Sequence, residues 1–273
     1  MNAPLRTPSS PAPVIVGALA VRRFGAGAPL VLVHGGVGSW THWLANIDGL
    51  SRAFALTVVD LPGYGDAPAP PAREPEAYLD GVAADLLRVM EGEGSFGLVG
   101  FSYGAVISAA VARRIGDRVN AMSLLGPGGF GVPVGRKVEL VPVPSAAEDP
   151  DGHRAAVAHN LGQFMLSRTP APADPVVDLQ SANIARLRFD SRKISLQDRI
   201  VGDLSGLFSP LQVIWGAQDH LPVPSIEARA ERIVQARPDA EIHVVPDAGH
   251  WVQYEAPEAI DALLTDFHNR VTR

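Results

Sequence analysis

Three side chains far apart in this chain are of the types needed to make and break an acyl bond: Ser102, Asp219 and His250. Ser102 sits in Leu98-Val99-Gly100-Phe101-Ser102-Tyr103-Gly104, an apolar strand pattern that ends in Gly-x-Ser-x-Gly. A helical stretch, Ala105 to Arg114, follows at once. Such a strand-to-helix turn pushes the serine hydroxyl into open space and leaves no room for side chains beside it, which accounts for the two glycines. A serine hydroxyl is a weak nucleophile at neutral pH, so it needs a base, and the base needs an orienting acid. His250, in Pro246-Asp247-Ala248-Gly249-His250-Trp251, follows one apolar strand pattern. Asp219, in Trp215-Gly216-Ala217-Gln218-Asp219, follows another. Both therefore fall on loops at the sheet edge that carries the serine turn, in the chain order Ser, Asp, His expected there. His250 would take the hydroxyl proton and return it to the leaving group. Asp219 would fix the imidazole tautomer. The developing oxyanion needs donors already aimed; the backbone N–H groups of Tyr103 and of Gly36, in His34-Gly35-Gly36-Val37-Gly38, are the candidates.

Other residues invite these roles and fit them less well. His34 ends a strand beside the glycine loop and reads as structural. Asp60 ends a strand too, but Leu61-Pro62-Gly63 follows, which favours capping a turn over acting as the acid. His220 adjoins Asp219, yet the Gly-His-Trp setting favours His250 as the base. His42, His153, His159, His243 and His268 read as surface or packing residues, with His153 and His159 in the segment that would line a pocket. No His-Glu-x-x-His or comparable spacing occurs, so no metal is expected.

The elements that must position these groups alternate. Strand patterns occur at Ala18 to Phe24, Pro29 to His34, Ala55 to Asp60, Phe96 to Ser102, Val119 to Leu125, Leu211 to Gly216 and Ala240 to Val245. Helical patterns occur at Ser39 to Leu50, Pro75 to Glu91, Ser225 to Arg237 and Pro257 to Val271. Strands alternating with helices predict an α/β fold with a parallel sheet covered on both faces. Between Phe130 and Leu207 the alternation stops. His153 to Arg168 and Asp174 to Leu187 read as helices, the second opening on Asp174-Pro175, a cap residue followed by proline at the first helical position. The organisation expected is a flexible tail over 1–13, a core over 14–129 and 208–273, and an inserted helical cap over 130–207, above the carboxyl edge of the sheet where ligands bind in such folds.

Bulk composition allows this and excludes other classes. The chain has 273 residues, enough for a large single core. Charged residues make up 19% and the net charge is −6, which argues against a nucleic-acid surface. There is no cysteine, so disulfides and thiol catalysis are out. No apolar run approaches a membrane span, and Met1 to Pro13, with its four prolines, lacks a basic-then-apolar leader pattern. The expected location is the cytoplasm. The expected partner is a small-molecule substrate, with no nucleic acid and no membrane; association into a homo-oligomer stays open.

Five pieces in order resemble the α/β-hydrolase fold family: Val-His-Gly-Gly at 33–36, Asp-Leu-Pro-Gly-Tyr-Gly at 60–65, Gly-Phe-Ser-Tyr-Gly at 100–104, Gly-Ala-Gln-Asp at 216–219 and Gly-His-Trp at 249–251. The resemblance covers the chain from about residue 14 onward. It implies an eight-stranded, mostly parallel sheet, a serine triad and no cofactor. Dehalogenases and epoxide hydrolases of this fold carry an aspartate where Ser102 stands, which argues against both.

Two reactions stay open. One is hydrolysis of a small, largely apolar carboxylic ester or lactone through an acyl-enzyme. The other is cleavage of a carbon–carbon bond in a vinylogous diketone, because Leu125-Gly126-Pro127-Gly128-Gly129 and Trp251 resemble the meta-cleavage product hydrolases. That group has a small polar residue before the serine and a methionine or similar after it, whereas this chain has Phe101 and Tyr103. The arginine that would grip a substrate carboxylate is not clearly placed either: Asn183 falls near its position, with Arg186 and Arg188 the nearest alternatives. Ester or lactone hydrolysis is therefore ranked first. A ligand-binding or non-hydrolytic member of the fold is the remaining alternative. Phe101, Phe130, Phe164, Trp251, Arg186 and Arg188 are the candidates for the pocket wall.

Overall fold

A computed structural model describes residues 11–132 and 138–271. The stretch read as a tail lies, up to residue 10, outside the described residues. One sheet runs in the order β1-β2-β4-β3-β5-β6-β7-β8. Its strands are β1 (Val14–Val16), β2 (Leu19–Phe24), β3 (Ala28–Val33), β4 (Phe54–Asp60), β5 (Phe96–Phe101), β6 (Val119–Leu125), β7 (Leu211–Gly216) and β8 (Glu241–Val245). The β1–β2 and β2–β4 pairings are antiparallel and the others parallel. β1 was not anticipated: its three residues lie between a proline-rich stretch and the Gly17-Ala18 turn, and Val14 and Ile15 are exposed, so no burial pattern marks them.

Period-two alternation explains how both faces are covered. Val31 and Val33 of β3 pack toward α2 (Pro75–Val89), α3 (Tyr103–Ile115) and α8 (Ile226–Ala236). Leu30 and Leu32 pack toward α1 (Leu44–Leu50) and α10 (Pro257–Val271). Successive side chains leave a strand in opposite directions, so a strand buried on both faces needs an apolar residue at every position.

Between β6 and β7 lie α4 (Pro150–Phe164), α5 (Pro175–Ala185), α6 (Arg192–Ser195) and α7 (Ile200–Leu204). α4 and α5 each start with an aspartate cap and a proline at the first position: Asp149 accepts from the Gly152 N–H and Asp174 from the Val176 N–H. Their apolar residues Val157, Leu161, Val176 and Val177 join the cluster on the α1 and α10 side. Ile194, Ile200 and Leu204 join the opposite cluster, where α6 and α7 pack against α3, and α7 also against α8. α9 (Val252–Glu255) is a single turn after His250. These short helices escape a reading by periodicity because one turn shows no repeat.

α10 carries a carboxylic acid against α1. Asn46 Nδ2 donates to Asp261 Oδ1 at 2.9 Å. Burial pushes this carboxyl up to about 7, against the pull of the Asn46 bond, from an ordinary value of 3.8. Because the folded-state value is the higher one, the stability tied to Asp261 is present below about pH 4 and is lost as the pH rises through about 7. Asp261→Asn is expected to raise the thermal midpoint at about pH 8 by a few degrees, at roughly 2–4 °C for each kcal/mol. The gain should fade as the pH falls toward 4. Thermal unfolding of both proteins across that range checks it, and a gain independent of pH would contradict the assignment.

Candidate active site

Ser102 occupies the turn from β5 into α3 with φ 54° and ψ −111°. A non-glycine residue in that region costs roughly 1–3 kcal/mol and persists only where its surroundings over-determine it. They do so here. The Ser102 N–H donates to Leu125 O at 2.8 Å, and its carbonyl accepts from the Ala105 N–H at 3.1 Å. A methyl on Gly100 would lie 2.5 Å from Gly104 O, and one on Gly104 2.4 Å from His34 O. Both contacts are closer than a Cβ tolerates, so the motif's glycines are dictated by approach of backbone to backbone.

His250 and Asp219 meet this serine. His250 Nε2 lies 2.8 Å from Ser102 Oγ, and His250 Nδ1 lies 2.8 Å from Asp219 Oδ2. With the proton on Nδ1 donated to the carboxylate, Nε2 is left to accept from the hydroxyl. Asp219 Oδ1 also accepts the Leu221 N–H at 2.9 Å. Both His250 and Asp219 are buried, and the Phe101 and Phe164 rings flank the imidazole, their centroids 5.1 and 5.9 Å from its own.

The glycine loop after β3 comes alongside. A methyl on Gly35 would lie 3.3 Å from Ser102 Cβ, and one on Gly36 3.6 Å from Tyr103 Cβ. The Gly36 and Tyr103 peptides therefore stand together beside Ser102. The Tyr103 N–H is at the start of α3, where helical N–H groups have no acceptor within the helix. Two histidines brace this loop. His34 Nδ1 donates to Gly35 O at 2.7 Å while its Nε2 accepts the Leu61 N–H at 3.0 Å. His42 Nδ1 accepts the Gly35 N–H at 3.2 Å. Burial lowers the pKa of both, that of His42 the more strongly, so both stay neutral and keep these fixed tautomers. Asp60 takes the turn-capping part: it accepts the Trp40 N–H at 2.6 Å and the Asp66 N–H at 3.0 Å, and pairs with the Arg22 guanidinium at 3.2 Å.

From the other side, α5 reaches the same loop. Gln180 Nε2 donates to Val37 O at 2.9 Å, and Asn183 Oδ1 accepts from Ser39 Oγ at 2.7 Å and from Thr41 Oγ1 at 3.2 Å. Val37 itself sits at φ 51°. Neither Gln180 nor the bracing function of His42 was anticipated. Both are long-range contacts with no local motif, and only the fold brings them to the loop.

Ser102 opens on a cavity of about 570 Å³. Its wall is mostly apolar and draws on the inserted segment through Val157, Leu161, Phe164 and Ile184. Of the residues expected in the wall, Phe101 and Phe164 are there. Phe130, Trp251, Arg186 and Arg188 are not among the lining residues, and each has a physical reason. Phe130 lies under two guanidinium groups, those of Arg229 at 4.7 Å and Arg232 at 5.5 Å. Trp251 is fully buried, donates from Nε1 to His42 O at 3.0 Å and packs its ring on His42, so it braces the loop from behind. Arg186 pairs with Asp66, and Arg188 donates to the Gly65 and Ala67 carbonyls. Asn183 turns its Oδ1 to Ser39 and Thr41, and its Nδ2 has no partner among the described residues. His153 is held by Pro144 O and Ser181, and His159 by Glu139 O. Among the described residues no cluster of three or more His, Asp or Glu is arranged to hold a metal ion, and no helix is long and apolar enough to cross a membrane.

The model of the alpha/beta hydrolase family matches residues 30–263. The chain is 28% identical over 257 residues to the dihydrolipoyllysine-residue acetyltransferase component of the acetoin cleaving system of Pseudomonas putida, covering 88% of this chain and 63% of that protein. It thus spans just under two thirds of that relative's length. It is 25% identical over 256 residues to the 2-hydroxy-6-oxo-6-phenylhexa-2,4-dienoate hydrolase of Burkholderia cepacia, covering 89% of this chain and 88% of that one. Among solved structures, a putative aryl esterase from Burkholderia cenocepacia is similar with a TM-score of 0.76 at 23% identity, covering 93% and 95% of the two chains. A meta-cleavage product hydrolase from Pseudomonas fluorescens IP01 reaches 0.75 at 21%, covering 97% and 98%. At such identities the structural likeness shows the fold alone.

The clamp on the glycine loop is testable directly. Gln180→Leu should leave the fold unchanged by circular dichroism. It should slow labelling of Ser102 by a fluorophosphonate about tenfold, the equivalent of one net hydrogen bond. Labelling at the wild-type rate would show that the loop holds its shape without Gln180.

Proposed function

The chain belongs to the alpha/beta hydrolase family, and we propose that it is a serine hydrolase acting on a small, largely apolar carboxylic ester or lactone. The observation that carries this reading is the continuous Ser102–His250–Asp219 hydrogen-bond chain, 2.8 Å at each link, opening on an apolar cavity.

In this reading Ser102 Oγ attacks the ester carbonyl while its proton passes to His250 Nε2. Asp219 stabilises the imidazolium so formed. The carbonyl oxygen takes up the negative charge between the Gly36 and Tyr103 N–H groups, each such donor being worth about 2.7–4 kcal/mol. Collapse re-forms the carbonyl and breaks the bond to the alkoxy group, which leaves with the proton from His250. Water, deprotonated by the same imidazole, then hydrolyses the acyl-serine and releases the acid. A lactone follows the same steps, with acid and alcohol in one product.

Carbon–carbon cleavage is the second reading, favoured by the similarity to the Burkholderia cepacia hydrolase. It ranks lower because its substrates are acids, and the arginines near the expected carboxylate site are engaged elsewhere. Arg186 and Arg188 turn to Asp66 and to backbone carbonyls, and Arg192, which does line the cavity, is forked onto Asp190.

Ser102→Ala should abolish fluorophosphonate labelling, and Asp219→Asn should lower kcat about 10⁴-fold with the fold intact, because the amide holds the wrong tautomer. An unlabelled wild-type protein that still turns over esters would sink the reading. p-Nitrophenyl esters of graded acyl length, assayed beside a vinylogous diketone acid, separate the two reactions: faster turnover of the acid would favour carbon–carbon cleavage.

A further inference from the structure

Arg229, on α8, has no part in the chemistry described above, yet it lies directly behind it. Its side chain is buried and it is among the residues that line the cavity with Asp219 and His250. A buried guanidinium is costly unless paired, and no ion pair to a carboxylate within 4.0 Å is formed by Arg229 among the described residues. Instead NH2 donates to Leu221 O at 3.1 Å, NH1 approaches Pro127 O at 3.5 Å, and the guanidinium plane lies over Phe130 at 4.7 Å.

The backbone of Leu221 is the link, through the two successive peptide groups that meet at its Cα. Its carbonyl accepts from Arg229 and its N–H donates to Asp219 Oδ1. One hydrogen-bonded series therefore runs Arg229, Leu221, Asp219, His250, Ser102. The second carbonyl, that of Pro127, belongs to the loop after β6. In that loop a methyl on Gly126 would come 3.0 Å from the His250 ring, and the Gly128 N–H reaches Ser102 O at 3.4 Å. Arg229 thus clips the acid's loop to the loop that backs the base and the nucleophile. Burial works against its charge, and the Asp219 carboxylate supports it, while Arg232 opposes it.

We infer that Arg229 is a positioning residue for proton transfer, holding Asp219 in place through the Leu221 backbone and opposing the charging of His250 with its own fixed charge. The inference rests on the serine-hydrolase reading. Among the described residues, the other charged or titratable groups around His250 are Asp219 itself, His42 across the Phe101 ring, Arg192 on the cavity wall, forked onto Asp190, and Glu255 of α9, whose carboxylate accepts the Gly249 N–H at 2.7 Å. Arg232, beyond Arg229, is paired with Asp198. Arg229 is the cation in this set that sits behind the acid. Removing its charge makes the imidazolium easier to form, so the base is lost at a higher pH.

The test is kcat/KM for a p-nitrophenyl ester against pH, in the wild type and in Arg229→Gln and Arg229→Lys. Arg229→Gln, which keeps a donor but no charge, should move the acidic limb upward by about half a unit or more. Arg229→Lys, which keeps the charge but not the planar fork, should leave the limb in place and lower kcat several-fold. If Arg229→Gln does not fold by circular dichroism, Arg229→Met is the second neutral variant and carries the same expectation. An acidic limb unmoved in every folded neutral variant overturns the inference, because a purely structural role would lower activity without moving it. A rise in KM confined to anionic esters, with the limb unmoved, would overturn it in favour of a substrate anchor. Absence of Ser102 labelling in the wild type would instead remove the functional reading on which the inference stands.

Discussion

The backbone of Ser102 is held in a conformation that an isolated chain avoids, and most of the site's architecture is the set of contacts that keeps it there. β5 must end flush with α3, which requires glycine where the Gly104 and His34 backbones touch. β6 must supply the Leu125 carbonyl for the serine N–H. Once the turn exists, its side chain can point only away from the sheet, where Asp219 and His250 come up on the loops that follow β7 and β8. The parallel order β5-β6-β7-β8 brings the loops after β7 and β8 to the same edge, so a hydrogen-bond chain between residues nearly 150 positions apart is a consequence of strand order.

Around that turn lies a layer of buried polar groups. His34 and His42 are stripped of charge by burial and serve as fixed donor-acceptor units for the Gly35 peptide. Trp251 backs His42, and Asp60 gathers the Trp40 and Asp66 amides and the Arg22 guanidinium. Such groups are worth little individually when solvated, and much more when an alternative partner is out of reach. The loop that would cradle an oxyanion is therefore stiff before any ligand arrives, as electrostatic stabilisation without reorganisation demands.

The parts of this design that are local in sequence could be read in advance. The strands β3 to β8 announce themselves as largely apolar runs, and Ser102, Asp219 and His250 each follow one of them at a recognisable turn. The inserted segment was harder. Of its two long helices, the second shows its aspartate-proline start and the first reads as a helix from His153, inside its Asp149-Pro150 start, while α6 and α7 are too short for a periodic signal. The pocket wall was misjudged where a residue's type suggested one fate and its neighbours imposed another. Trp251 looked like a wall and is a strut; Arg186 and Arg188 looked like carboxylate receptors and are consumed by Asp66 and by backbone carbonyls. Gln180 and Arg229 carry no motif at all. Their places depend on which elements pack together, and that information is spread over the whole chain.

The bonds from Gln180 and Asn183 to Val37, Ser39 and Thr41 have one more consequence. The segment that walls the cavity also grips the loop beside Ser102, so the shape of the cavity and the shape of the loop share a mechanical support. Replacing α4 and α5 alone would change both shapes at once. The unit that holds together is larger: the inserted helices and residues 34–41 are two halves of one joint.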